Sequence, residues 1–173
     1  KLNKLIRKID TNGEVVTVSG GSKTNTSALN PKLRSVYTDG YYTYGSLNFP
    51  INICIDRRNH DIYISDYLYI RKLNASYYIT TLAGNKDPGI KDGIGTYAQF
   101  VSPNGLAIFE PNNILYVVDS VNNNVRSIDL NTKKVITIAG NNKVTNLDGG
   151  FKVEFVDGMG TAALFNYPSN IVI

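Results

Sequence analysis

The chain has 173 residues, a formal net charge of +4 and 42% hydrophobic residues, with 12 tyrosines, no tryptophan and one cysteine. That length can bury a sizeable core, a lone cysteine excludes an internal disulfide framework, and 18 basic residues spread along the chain do not form the block of like charge that marks a nucleic-acid-binding tail. No apolar run approaches the about 20 residues that a membrane-spanning helix needs.

Residues 1–20 read as two strands, Leu5 to Asp10 and Glu14 to Val18, joined by the hairpin turn Thr11-Asn12-Gly13. A long connection follows from Ser22 to Pro50 and carries the tyrosine cluster Tyr37, Tyr41, Tyr42 and Tyr44. Ile51 to Gly84 reads as a set of four strands. Asp92 to Gly140 is a clearer version of the same pattern. Leu106 to Phe109 is a short apolar run between turn residues, and Ile114 to Val118 is β-branched and aromatic. Val125 to Ile128 alternates apolar and polar, and Val135 to Ala139 ends at Gly140. Four short strands joined by tight turns predict an antiparallel meander. Asn141 to Asp157 is a second enlarged connection, and Ser169 to Ile173 reads as the opening strand of a further copy.

The copies share markers in fixed order. Asp39, Asp92 and Asp157 each precede a glycine; a bulky apolar residue follows eight positions later at Leu47, Phe100 and Phe165, and a proline eleven positions later at Pro50, Pro103 and Pro168. Asp66 and Asp119 end the second strand, Arg7, Arg71 and Arg126 sit in the third, and Gly20, Gly84 and Gly140 close the fourth. A four-stranded meander recurring at this period is the sequence form of a β-propeller blade. The expected class is all-β, with a partial blade over 1–20, blades over 39–84 and 92–140, and the start of another over 157–173. The stretches DGIGTYAQFVSPNGLAIF, ILYVVDSVNNNVRSID and VITIAG, with YIRKLN and DGMGTAALFNYPSNIVI, resemble the NHL repeat. The resemblance implies a six-bladed propeller, of which these residues would supply roughly three blades. The remainder would come from a longer chain or a second copy.

Candidate sites are few. Cys54 lies where the other copies have Ala107 and Val172, so it reads as a small core position. His60 aligns with Asn113 in a turn, and with no second histidine there is no metal site to build. Arg7, Arg71 and Arg126 read as structural, pairing at the surface with Asp66-type and Asp119-type carboxylates. The Asp-Gly pairs read as turn formers. Asn25-Thr26-Ser27 and Asn74-Ala75-Ser76 match the glycosylation acceptor pattern, as an asparagine-rich chain will do by chance. No catalytic residue, cofactor motif or phosphate loop emerges. The predicted function is a non-enzymatic binding module or scaffold for a protein partner. Its contact surface is expected on the loops 21–46 and 141–157, led by Tyr37, Tyr41, Tyr42 and Tyr44. RNA binding is the alternative, requiring basic residues gathered on one face. A propeller enzyme with its site elsewhere is the third reading.

Overall fold

The computed structural model describes residues 4–20, 38–41, 44–141, 146–147, 150–151 and 155–173. Tyr37, Tyr42 and Asn25 lie outside them. Strands β1 (Leu5–Ile9) and β2 (Val15–Gly20) form a two-stranded antiparallel sheet. The next sheet has five strands in the order β3-β7-β6-β5-β4: Gly40–Tyr41, Tyr78–Ala83, Tyr69–Leu73, Ile62–Asp66 and Pro50–Ile55. A third repeats that order as β8-β12-β11-β10-β9: Gly93–Ile94, Lys134–Gly140, Asn124–Asp129, Ile114–Asp119 and Pro103–Phe109. A short hairpin follows, β13 (Asn146–Leu147) with β14 (Gly150–Phe151).

Each meander therefore has the expected four strands plus one more. Gly40 pairs with Ile79, and Gly93 with Val135, at the outer edge of their sheets. The Asp-Gly pairs are thus not hairpin turns. Asp39-Gly40 and Asp92-Gly93 enter short edge strands, because the fourth strand still has an unpaired row of backbone groups to satisfy, whereas Asp157-Gly158 lies in no strand. Ser169–Ile173, expected to open a further copy, joins no ladder. A strand is defined by its hydrogen-bonded partner, and these residues have no ladder partner among those described.

One irregularity recurs in all three sheets. The register slips between Ile6 and Arg7, between Ile70 and Arg71, and between Val125 and Arg126. The extra residue on the fourth strand is Val18, Leu82 or Ile138. A bulge of this kind increases local twist and re-aims the side chain beside it, here an arginine. The closing glycine follows two residues later, with φ of 92°, 94° and 77° at Gly20, Gly84 and Gly140. A Cβ there would lie 2.2–2.3 Å from the carbonyl oxygens of Lys4, Leu68 and Asn123. Left-handed backbone and lack of space together explain why this marker is glycine.

The apolar core lies between sheets. Ile6 and Val18 pack with Leu47, Ile64, Leu73 and Ile79 in one cluster. In the other, Tyr63, Ile70 and Leu82 meet Phe100, Leu115, Val117 and Ile128. The middle sheet thus buries one face against each of its two neighbours, which a single blade could not do alone. Spacing is tight at the inner strand: a Cβ on Gly105 would fall 2.6 Å from the Cα of Asn170.

Candidate functional site

The bulge directs Arg71 and Arg126 inward, and both side chains are fully buried. Arg71 donates through one terminal nitrogen to Asp39 Oδ1 at 2.8 Å and to the Thr38 carbonyl at 3.3 Å. Through the other it donates to the Ser46 carbonyl at 3.2 Å and reaches Asp66 Oδ2 at 3.5 Å. Arg126 makes the same set one sheet on: Asp92 Oδ1 at 2.6 Å, the Lys91 carbonyl at 3.1 Å and the Gln99 carbonyl at 3.0 Å. Its guanidinium also lies 5.1 Å from the centre of the Phe100 ring. Thr81 Oγ1 donates to Asp39 Oδ1, and Thr137 donates to Asp92 through both its hydroxyl and its backbone N–H.

The arginine pairs are therefore buried, not exposed as the sequence suggested, and their principal partners are Asp39 and Asp92 rather than Asp66 and Asp119. Those two carboxylates have another task. Asp66 accepts the backbone N–H groups of Asn48 and Phe49, and Asp119 those of Val101 and Ser102, fixing the approach to the inner strand. Burial pushes both carboxyl groups above the usual aspartate range, against the opposing pull of these N–H donors and the nearby arginine. Pro50 and Pro103 then open β4 and β9. Arg7 has the same position after the bulge but is exposed, with one described bond to the Val15 carbonyl at 3.4 Å. Asp157 is exposed and has no arginine partner among the described residues.

The clamp has a consequence at the surface. The guanidinium fork grips residues 38 and 46, or 91 and 99, so the hairpin between them is held at both ends. These hairpins display Tyr41 and Tyr44 in one sheet, Ile94 and Tyr97 in the next. Tyr44, six residues past the Arg-bound Thr38, is 78% exposed, and Tyr97, six residues past the Arg-bound Lys91, is 74% exposed. The Tyr41 ring packs edge-on against Tyr78 at 4.5 Å, on the outermost strand. Tyr97 and Ile94 were missed in the sequence because only the denser cluster drew notice. The clamping threonines were missed too, although Thr17, Thr81 and Thr137 each stand three residues before the closing glycine.

Several known proteins share this pattern. Human NHL repeat-containing protein 2 is 39% identical over 111 residues, covering 62% of this chain. The cattle protein of the same name is 38% identical over 109 residues. This chain carries the NHL-repeat pattern of these relatives. Protein SUPPRESSOR OF QUENCHING 1, chloroplastic, from Arabidopsis thaliana is 30% identical over 160 residues, 90% of the chain. The NHL-repeat chain spans about 15% of the length of these curated relatives. No family model matches it. Among solved structures, a Bacteroides thetaiotaomicron protein of unknown function aligns over 97% of the chain and 36% of its own, with a TM-score of 0.65 at 21% identity. An auxiliary nutrient binding protein from the same organism aligns over 96% of the chain and 37% of its own, with a TM-score of 0.62 at 15% identity. At these identities the likeness is one of fold, an all-β propeller architecture.

The remaining candidates of the NHL-repeat chain are placed as follows. Cys54 is half-buried on β4 against the core between sheets, and burial, aided by the Asp56 charge, pushes its thiol up to about 12. Such a thiol is not a nucleophile at neutral pH. His60 and Asn113 occupy matching turns with φ of 62° and 58°. Asn74 is tied into its turn, its Oδ1 accepting the N–H groups of Ser76 and Tyr78. No group of three metal-ligating side chains occurs among the described residues, and no described helix is long and apolar enough to cross a membrane.

Proposed function

We propose that this NHL-repeat segment is a binding module or scaffold that engages a protein partner through the loop surface bearing Tyr41 and Tyr44. The observation that supports it is the pairing of exposed rings with a fixed backbone: Arg71 holds both ends of the hairpin that carries them. Preorganised loops lose little entropy on binding, and tyrosine brings large contact area with few rotatable bonds. Tyr37 and Tyr42 extend the same cluster in sequence. RNA binding draws less support, since two of the three recurring arginines are buried in clamps and cannot reach a phosphate. The enzyme reading has no general base or ligand set behind it in the described residues.

The test is capture of partners by the full-length protein from its own cells, comparing wild type with Tyr41→Ala/Tyr44→Ala. Binding should weaken by about 2 kcal/mol, while the melting midpoint hardly moves, because exposed substitutions usually fall within about ±0.5 kcal/mol each. Undiminished capture by the double variant would overturn the site. Recovery of RNA in place of protein, lost in high salt, would favour the alternative.

A further inference from the structure

On the opposite side of the molecule, where the β6–β7 and β11–β12 turns emerge, the two five-stranded sheets part to leave a cleft of about 290 Å³. Its walls include Tyr63, Lys72, Thr80 and Leu82 from one sheet and Leu130 and Lys133 from the other. Tyr63 is 2% exposed overall, and its hydroxyl, which makes no hydrogen bond among the described residues, keeps contact with solvent in the cleft. Lys72 is paired with Asp61 at 2.5 Å, whereas Lys133 makes no ion pair among the described residues. Two ammonium groups against one carboxylate leave a positive charge in the cleft uncompensated.

Sheet stacking does not require this set. Tyr63 pairs with Lys72 and Lys72 with Thr80 across the ladder; the matching positions one sheet on are Tyr116, Ser127 and Ile136. The lysine-threonine pair is thus a departure from the repeat at a place where the sheets separate. The backbone beneath it is rigid, since Lys133 accepts the Gly95 N–H through its carbonyl at 2.9 Å and Thr80 Oγ1 donates to the Lys72 carbonyl.

We propose that this cleft binds a small organic anion. Its acid group is met by Lys133, Lys72 and the Tyr63 hydroxyl, and its carbon body lies against Leu82 and Leu130. The size is at the small end of ligand sites, and an apolar wall with a few convergent donors is their usual construction. Charge-assisted hydrogen bonds to an oxyanion would engage the Tyr63 hydroxyl and the Lys133 ammonium together.

Saturation-transfer NMR on the full-length protein, with benzoate, phenyl phosphate and neutral benzamide as probes, tests this. Benzoate or phenyl phosphate should bind saturably, at least tenfold tighter than benzamide. Lys133→Gln, an exposed turn substitution, and Tyr63→Phe, which removes one oxygen, should each weaken binding at least fivefold. Lys134→Gln, one residue away on the exposed edge, should leave it unchanged. Equal binding of benzamide, no saturable binding of either acid, indifference to Lys133→Gln, or an equal loss in Lys134→Gln would overturn the proposal.

Discussion

The buried guanidinium is the group on which each five-stranded sheet depends. Arg126 places its planar fork between a carboxylate and two backbone carbonyls, a geometry that lysine, with one compact ammonium, cannot reproduce. Removing one partner of a buried pair typically costs about 3–5 kcal/mol, because groups left behind lose their donors. Here the Asp92 side chain is 46% exposed, so water screens it and the cost falls on the carbonyls of Lys91 and Gln99. Urea unfolding should therefore show Arg126→Ala losing about 3 kcal/mol or more, with Arg126→Lys recovering only part of it. Asp92→Asn should cost less than either. A larger loss in Asp92→Asn than in Arg126→Ala would show that the carboxylate, and not the carbonyl pair, is what the arginine serves.

At the scale of the element, the bulge and its glycine act together. An alanine in left-handed backbone costs roughly 1–2 kcal/mol wherever it stands. At Gly13, φ is 84° and a Cβ meets nothing within 4 Å, so Gly13→Ala should cost no more than that. At Gly84 the added methyl also collides with the Leu68 carbonyl, and the loss should be larger by on the order of 1–3 kcal/mol. Equal losses in the two variants would mean that the carbonyl moves aside and that only the dihedral matters. The strands themselves were legible because turn residues bracket every apolar run, and their bounds differ from expectation by one to three residues. Partnerships were not legible. Spacing shows Asp39, Asp66 and Arg71 recurring, but Asp39 is 32 residues from Arg71 and Asp66 only 5, so proximity in sequence pointed to the longer of the two contacts, 3.5 Å against 2.8 Å. The edge strands escaped notice for a similar reason: two residues carry no periodicity, and only the open side of the fourth strand makes them pair.

Across the whole molecule, two sets of aspartates act on stability in opposite senses. Asp66 and Asp119 have folded values raised by burial, so their stabilising contribution is fully present below the ordinary aspartate range and is lost as pH rises through the raised values. Asp56 is held low, chiefly by the hydrogen bond from Arg58, and contributes stability above the ordinary range that is lost as pH falls through its lowered value. Unfolding free energy measured against pH should therefore decline from mildly acidic conditions toward neutrality through the first pair. Asp119→Asn should flatten that limb, and Asp56→Asn the acidic one. A wild-type profile that only rises between acid and neutral pH would contradict the burial assigned to Asp66 and Asp119.

The closed bookkeeping of the clamp also bears on how such a chain grows. Asp92, Gln99, Asp119, Arg126, Thr137 and Gly140 all lie in one continuous stretch, and each anchoring bond among them begins and ends inside it. Polar contacts cross its boundary along with apolar packing: Arg57 and Arg58 of the preceding sheet bond Glu110 and Asn113, and Arg126 reaches the Lys91 carbonyl just outside. A gene segment cut from aspartate to glycine would therefore carry its arginine-aspartate pair when duplicated, while its neighbours supply matching polar and apolar flanks. A cut between arginine and its aspartate would instead part a buried cation from its counter-charge.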